Sequence, residues 1–296
     1  MRILITGSSG MLGVALCEAL GKDHETAGLD LNEPRGGLPL PDKFYKADIL
    51  ETDSLKKAVE DFEPGLIVHS AAWTDVDGCE TDPDKAYLVN SRGTFNVAAA
   101  SGREVPLILI STDFVFDGKK GAPYGEEDEV NPLSVYGKSK LNAENSVKDL
   151  KTHFCIVRTS WLFGRGGKNF VDTVMQKGPL SGVLKVVDDQ VGSPTYCPDL
   201  ARAVALIARK GFSGGECLLH ISNSGRCSWY EYALKIIEKC GLSESVRIER
   251  VSSRELGRPA ARPAFSVMDT SRFSAVSGKK LRPWEEALDE YINSKG

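Results

Sequence analysis

Arg2-Ile3-Leu4-Ile5-Thr6-Gly7-Ser8-Ser9-Gly10-Met11-Leu12-Gly13 opens the chain with a short apolar run, a glycine-rich turn and the first residues of an amphipathic stretch. Ile and Thr favour an extended backbone, so the run reads as a strand. After the turn, Leu12, Leu16 and Leu20 recur every four residues with Ala15 and Ala19 beside them, as one buried face of a helix does. Strand, G-x-x-G-x-x-G turn and helix in this order let backbone N–H groups approach a pyrophosphate at a helix N-terminus. Gly7 permits the turn, Gly10 removes a Cβ that would meet the phosphates, and Gly13 lets the helix sit close to the sheet. Ser9, Met11 and Leu12 complete a loop whose expected ligand is a dinucleotide.

Working outward, the first half alternates β-branched runs with amphipathic stretches. Strands are expected at 2–6, 25–30, 44–48, 66–70, 107–111 and 153–158, and helices at 11–20, 54–62, 83–101 and 134–150. That alternation predicts an α/β fold of Rossmann type, a doubly wound parallel sheet covered by helices on both faces. Ligands of such sheets bind beyond the carboxyl ends of the strands, where Gly7, Asp30, Ala71 and Thr112 fall. After Arg158 the alternation weakens, with helices expected at 169–176, 199–208, 229–239 and 284–292 and one strand at 217–221. Residues 1–158 are therefore expected to form the cofactor domain, rejoined by part of 199–225. Residues 159–296 are expected to supply most of a smaller α/β substrate domain interleaved with it.

Asp30 ends the second strand 20 residues after Gly10, where a carboxylate accepts hydrogen bonds from the adenosine ribose hydroxyls. That charge favours NADH over NADPH, whose 2′-phosphate it would repel, but Arg35 nearby offers the phosphate a partner, so both cofactors stay open. Asp48 and Ile49, after the third strand, are expected near the adenine edge.

Lys and Arg number 37 against 41 Asp and Glu, a net charge of −4, so no basic excess draws a nucleic acid. The apolar start is too short for a signal peptide or a membrane span, and no membrane partner is expected. Seven scattered cysteines without a Cys-x-x-Cys pair suggest neither zinc nor a disulfide framework and fit a reducing cytoplasm. The four histidines are far apart in sequence, so no metal site is expected.

Tyr136-Gly137-Lys138-Ser139-Lys140 lies in a segment that Pro132 is placed to begin as a helix, and positions 136 and 140 then share a face. A tyrosine of ordinary pKa near 10 is a poor acid–base group at neutral pH, and an ammonium one turn away stabilises its phenolate. Lys140 is also placed to hold the nicotinamide ribose. Thr112, at the end of the fifth strand, points its hydroxyl into the same crevice. A Thr, Tyr and Lys set fits carbonyl reduction, with the tyrosine protonating the oxygen and Thr112 orienting it.

These residues resemble the extended short-chain dehydrogenase/reductase family: GSSGMLG after a strand, Ala71-Ala72 after the fourth strand, Asn90 in the next helix, STD after the fifth, and YGKSK. Within it, the stretches AAWTDVDGCE, VNSRGTFNVA, STDFVFDG, RTSWLFG, DDQVGSPTY and RPAFSVMDTSRF resemble the dTDP-4-dehydrorhamnose reductases, across residues 3 to 273. The resemblance implies reduction of the 4-keto group of a dTDP-6-deoxyhexulose to dTDP-L-rhamnose in nucleotide-sugar biosynthesis. It implies that Thr112, Tyr136 and Lys140 are catalytic, that Ala71, Ala72, Thr74 and Asn90 flank the cofactor, and that Asp113, Trp161, Gln190 to Thr195, Arg262 and Ser266 face the substrate. A homodimer is compatible with the resemblance. Related dehydratases carry an acid after the Thr-Asp pair, where this chain has Phe114, which disfavours dehydration. Epimerases of the same fold, and a non-catalytic subunit like the regulatory partner of methionine adenosyltransferase, stay open as alternatives.

Overall fold

The computed structural model of the chain describes residues 1–211 and 215–295. Strands β1 (Arg2–Thr6), β2 (Glu25–Asp30), β3 (Lys43–Lys46), β4 (Leu66–His69), β5 (Leu107–Thr112) and β6 (Phe154–Thr159) join an edge strand, Glu216–His220, in one seven-stranded sheet. Its order is edge strand-β6-β5-β4-β1-β2-β3, and every neighbouring pair is parallel. β1 and β4 lie side by side at the centre, and there the winding reverses direction. A parallel sheet with this reversal opens a crevice at the carboxyl ends of the two strands. The order of the expected elements holds; β3 starts one residue earlier and ends two earlier than expected, although the Ala47 N–H still reaches the Asp30 carbonyl at 3.1 Å.

Strands buried on both faces need two covers. On one face Ile3, Ile5, Val68, Ile108 and Val157 pack beneath helix Met11–Leu20 and helix Cys197–Lys210. On the other, Leu4, Ile67, Leu109 and Ile156 pack beneath helices Thr52–Phe62, Gly93–Ala100 and Val135–Leu150. Helix Cys197–Lys210 and the edge strand follow the segment that builds the second lobe and return to the first, leaving residues 212–214 of the 199–225 stretch outside the described residues.

One helix was expected across 83–101, and the chain there is more divided. Helix Pro83–Ala86 runs into a π-helical turn, Tyr87–Arg92, and then helix Gly93–Ala100, with a further short helix at Val76–Thr81. The wide turn faces Asn90 inward, where its Oδ1 accepts from the Trp73 N–H at 2.7 Å and its amide nitrogen donates to the Trp73 carbonyl at 3.1 Å and to Ser139 Oγ at 3.0 Å. Those three bonds account for the local widening.

The second lobe has its own core of Phe163, Val171, Val174, Tyr232, Ile236, Trp284, Leu288 and Tyr291. It contains helices Phe170–Ser181, Trp229–Lys239 and Trp284–Asn293. Phe170–Ser181 runs past the expected end, with Pro179 inside its last turn and Gly182 in the left-handed region closing it. Among the strands there that were not expected, the longest are Val183–Val187 and Arg247–Val251, which pair in parallel; the others are two-residue strands. Among the described residues no helix is long and apolar enough to cross a membrane, and no group of His, Cys, Asp or Glu could hold a metal ion.

Candidate active site

A cleft of about 900 Å³ opens at the carboxyl ends of the sheet strands, between the sheet and the second lobe. Gly7, Gly10, Met11, Leu12 and Gly13 form part of its floor. Gly7 has φ of 71°, and a Cβ there would come 2.6 Å from the Ala71 nitrogen, so glycine serves both the turn and the contact with the end of β4. A Cβ on Gly13 would sit 2.6 Å from the Ser8 Cα, backbone that cannot yield. Helix Met11–Leu20 starts from Gly10 with no side chain capping it, leaving its first N–H groups facing the cleft. A cradle kept open by missing Cβ atoms, at the positive end of a ten-residue helix, fits a dinucleotide pyrophosphate.

Asp30 stands behind this cradle, its carboxylate accepting from the Ser9 N–H at 3.1 Å and the Asn32 N–H at 2.9 Å, while Ser9 Oγ donates to the Asn32 carbonyl. Asp30 thus ties the loop down. Arg35 reaches the Gly166 carbonyl at 3.4 Å instead of folding toward Asp30. Asp48 accepts from the Leu50 N–H, and Ile49 is core, packed where a Cβ on Gly93 would lie. Ala72 and Thr74 line the cleft, whereas Ala71 and Asn90 do not, and Asn90 is buried.

Thr112, Asp113, Tyr136 and Lys140 converge at the other end. Ser134 caps helix Val135–Leu150, its side chain accepting from the Gly137 N–H, and this fixes the start of the turn that carries Tyr136. Burial raises the Tyr136 phenol above its ordinary value; the nearby Thr112 hydroxyl pulls it back somewhat and Asp113 pushes it further up. The Lys140 ammonium donates to the Ile110 carbonyl at 2.8 Å and makes no hydrogen bond to the phenol. Burial lowers Lys140 itself to about 8, with Glu144 one turn on opposing that fall. Asp113, also buried, is raised to about 7, with Ser266 and Thr112 opposing.

Behind Lys140 lies a fully enclosed ion pair that the sequence did not disclose. Arg158 on β6 binds Glu144 through Nε at 3.0 Å and Nη2 at 2.7 Å, and the Ser111 hydroxyl donates to the same carboxylate. His69 is likewise internal. Thr94 donates its hydroxyl to the Asn90 carbonyl, so it accepts from His69 Nε2–H, and His69 Nδ1 accepts from Thr6. Burial lowers this ring to about 3, and it stays neutral.

Of the expected substrate residues, Trp161 and Gln190 line the cleft, and the Gln190 amide donates to Ser253 Oγ at 2.7 Å. Arg262 lines it too, but its guanidinium is held in a two-pronged pair with Asp77 at 3.0 and 2.9 Å, to which Arg258 adds a third contact. Thr195 is buried, with its N–H on the Trp161 carbonyl, and Ser266 is buried beside Asp113; neither lines the cleft. Unanticipated lining residues include Lys168, Phe170, Lys185, Trp229, Ser253 and Arg254. These come from the second lobe, where no spacing rule ties such residues to a ligand.

A doubly wound sheet with a glycine cradle at its switch point and Thr112, Tyr136 and Lys140 at the other end of one cleft defines an oxidoreductase of the short-chain dehydrogenase/reductase class. The chain belongs to the family described as the RmlD substrate binding domain, whose model matches residues 1–295. It is 39% identical over 295 residues to the spore coat polysaccharide biosynthesis protein SpsK of Bacillus subtilis, spanning 99% of this chain and 98% of that protein. It is 35% identical over 299 residues to a dTDP-4-dehydrorhamnose reductase of Sinorhizobium fredii, spanning 99% and 97%. The structure of a Bacillus anthracis dTDP-4-dehydrorhamnose reductase in complex with NADP superposes with a TM-score of 0.88 at 34% identity, covering 99% of both chains.

Proposed function

We propose that this chain reduces the 4-keto group of dTDP-4-dehydro-6-deoxy-L-mannose to dTDP-L-rhamnose, with NADPH or NADH as the reductant. The observation that carries this is the meeting of Thr112, Tyr136 and Lys140 in one cleft with the Gly7–Gly13 cradle. The nicotinamide, when bound, supplies hydride to the carbonyl carbon. Tyr136, kept protonated by burial, holds the proton for the carbonyl oxygen. The Thr112 hydroxyl orients that oxygen, and the Lys140 ammonium adds positive charge where negative charge develops. Residues 1–158 with the returning strand Glu216–His220 would bind the cofactor, and most of 159–296 the nucleotide sugar. The NADP bound to the Bacillus anthracis relative favours NADPH. Seven free thiols support a cytoplasmic setting, and a homodimer is the assembly to look for by light scattering.

The test generates the dTDP-4-ketosugar in place and follows oxidation of NADPH and NADH in parallel. Stoichiometric loss of reduced nicotinamide with formation of dTDP-L-rhamnose is the expected result. Isomerisation of the sugar without net oxidation would identify an epimerase, and no turnover with any nucleotide 4-ketosugar would favour a binding subunit.

A further inference from the structure

Trp161 lies two residues past Thr159, which pairs with Thr112 across the sheet, so its indole stands at the reacting end of the cleft. Its backbone is left-handed, with φ of 47°, a conformation that a bulky residue keeps only where its surroundings impose it. Two neighbours impose it. On one face the indole lies flat against Trp229, with ring centroids 3.6 Å apart and planes 8° from parallel. On the other is Gly192, where a Cβ would come 2.5 Å from Trp161 Cε2, so only glycine leaves room for the ring. Trp229 is braced in turn by the edge of Phe170 at 4.7 Å and stands at the start of a helix fixed by the Ser228–Glu231 capping box.

We propose that Trp229 is a positioning residue for the sugar substrate: with Gly192 it forms a slot that holds Trp161 in its strained conformation, and it acts on the substrate through that indole. This rests on the cleft being a nucleotide-sugar site. Without the stack, one of the two walls that keep Trp161 in the left-handed region is gone, and the indole is free to tilt away from its place beside Thr112. The cofactor cradle at the far end of the cleft is untouched. The expected signature is therefore weaker sugar binding with unchanged cofactor binding.

The experiment uses the full chain with the dTDP-4-ketosugar and NADPH, comparing wild type with Trp229→Leu, Trp229→Phe, Trp161→Ala and the Trp161→Ala/Trp229→Leu pair. Trp229→Leu should raise the sugar KM about three- to tenfold, the scale of an aromatic stack, and leave the NADPH Kd unchanged. Trp229→Phe should recover most of the loss. The circular-dichroism couplet of two stacked indoles should vanish in every single Trp variant, Trp229→Phe included, so that KM alone reports the recovery in Trp229→Phe. In the Trp161→Ala background, Trp229→Leu should add nothing. Gly192→Ala, which pushes on the indole from the opposite side with Trp229 intact, should raise the same KM and weaken the same couplet, and it carries the test if Trp229→Leu does not fold. An active wild type with an unchanged KM in folded Trp229→Leu, or a full Trp229 effect persisting without Trp161, overturns the proposal. An inactive wild type overturns the substrate assignment instead, and the couplet still reports on the slot.

Discussion

Glu144→Gln is the substitution from which the structure draws the largest consequence. Glu144 and Arg158 are side chains of 0% and 2% relative exposure, joined by two charge-assisted bonds of 3.0 and 2.7 Å. Arg158 has little else to rely on: its guanidinium lies over the Phe116 ring at 5.2 Å, and Nη1 has no partner among the described residues. An amide in place of the carboxylate keeps the shape and removes the charge, leaving a buried cation uncompensated. Breaking a buried pair from one side costs about 3–5 kcal/mol, a large share of a stability that for a typical domain is about 5–15 kcal/mol. Urea unfolding should show a free energy lowered by that amount, seen as a lower midpoint at unchanged slope. Replacing both partners, Glu144→Leu with Arg158→Met, removes the stranded charge and should recover much of the loss. The same carboxylate opposes the burial that lowers Lys140, so the alkaline limb of kcat/KM, expected near pH 8, should move to lower pH in Glu144→Gln. A loss below about 1 kcal/mol, or a double variant no better than the single, would refute the account of this pair.

Gly13→Ala forces a Cβ to within 2.6 Å of the Ser8 Cα, so the first helix must lift off its loop; calorimetry should find cofactor affinity at least ~10-fold weaker, and wild-type affinity would contradict the cradle. Lys140→Met should weaken both cofactor binding and turnover, whereas Lys138→Met, on an exposed position of the same helix, should leave steady-state kinetics within about twofold. Burial lowers His69 and His220 from 6.5 to about 3, with the Lys140 charge aiding the first and Arg158 the second. Between those pH values the unfolded chain binds more protons than the folded one, so stability should fall as pH drops from 6.5, by up to about 1.4 kcal/mol per unit for each ring. Asp113, raised to about 7, works the other way between roughly pH 4 and 7, leaving a net loss from two rings against one carboxyl. Urea midpoints that do not fall between pH 6.5 and 4 would show that these rings are not held neutral.

What could be read in advance was whatever depends on local backbone chemistry. The glycine loop, the leucine stripe of the first helix and the i, i+4 placement of Tyr136 and Lys140 each follow from residues close in sequence, and each occupies its expected place. Long-range partners were hidden. Arg262 sits at the cleft but spends its charge on Asp77, a residue 185 positions away. Ile49 was expected beside adenine because it follows a strand, yet its side chain fills the space that Gly93 leaves. The π-helical turn at Tyr87–Arg92 depends on the Asn90 amide finding the Trp73 backbone, which periodicity cannot register. In the second lobe, Val183–Val187 and Arg247–Val251 are short and carry charges at Lys185, Arg247, Glu249 and Arg250, so neither shows the clean alternation that marks a strand. Trp229 gave no warning, because an aromatic residue at the start of a helix is more often core than wall.

The most direct test of the central claim is single-turnover reduction of the dTDP-4-ketosugar by Tyr136→Phe, which keeps the ring and its edge contact with Phe114 at 5.7 Å while deleting the hydroxyl. The account predicts a chemical step slowed at least ~10²-fold with cofactor and sugar still bound at near wild-type affinity. A rate within a few-fold of wild type would mean that the proton reaches the sugar oxygen from another group, and the assignment of Tyr136 would be wrong.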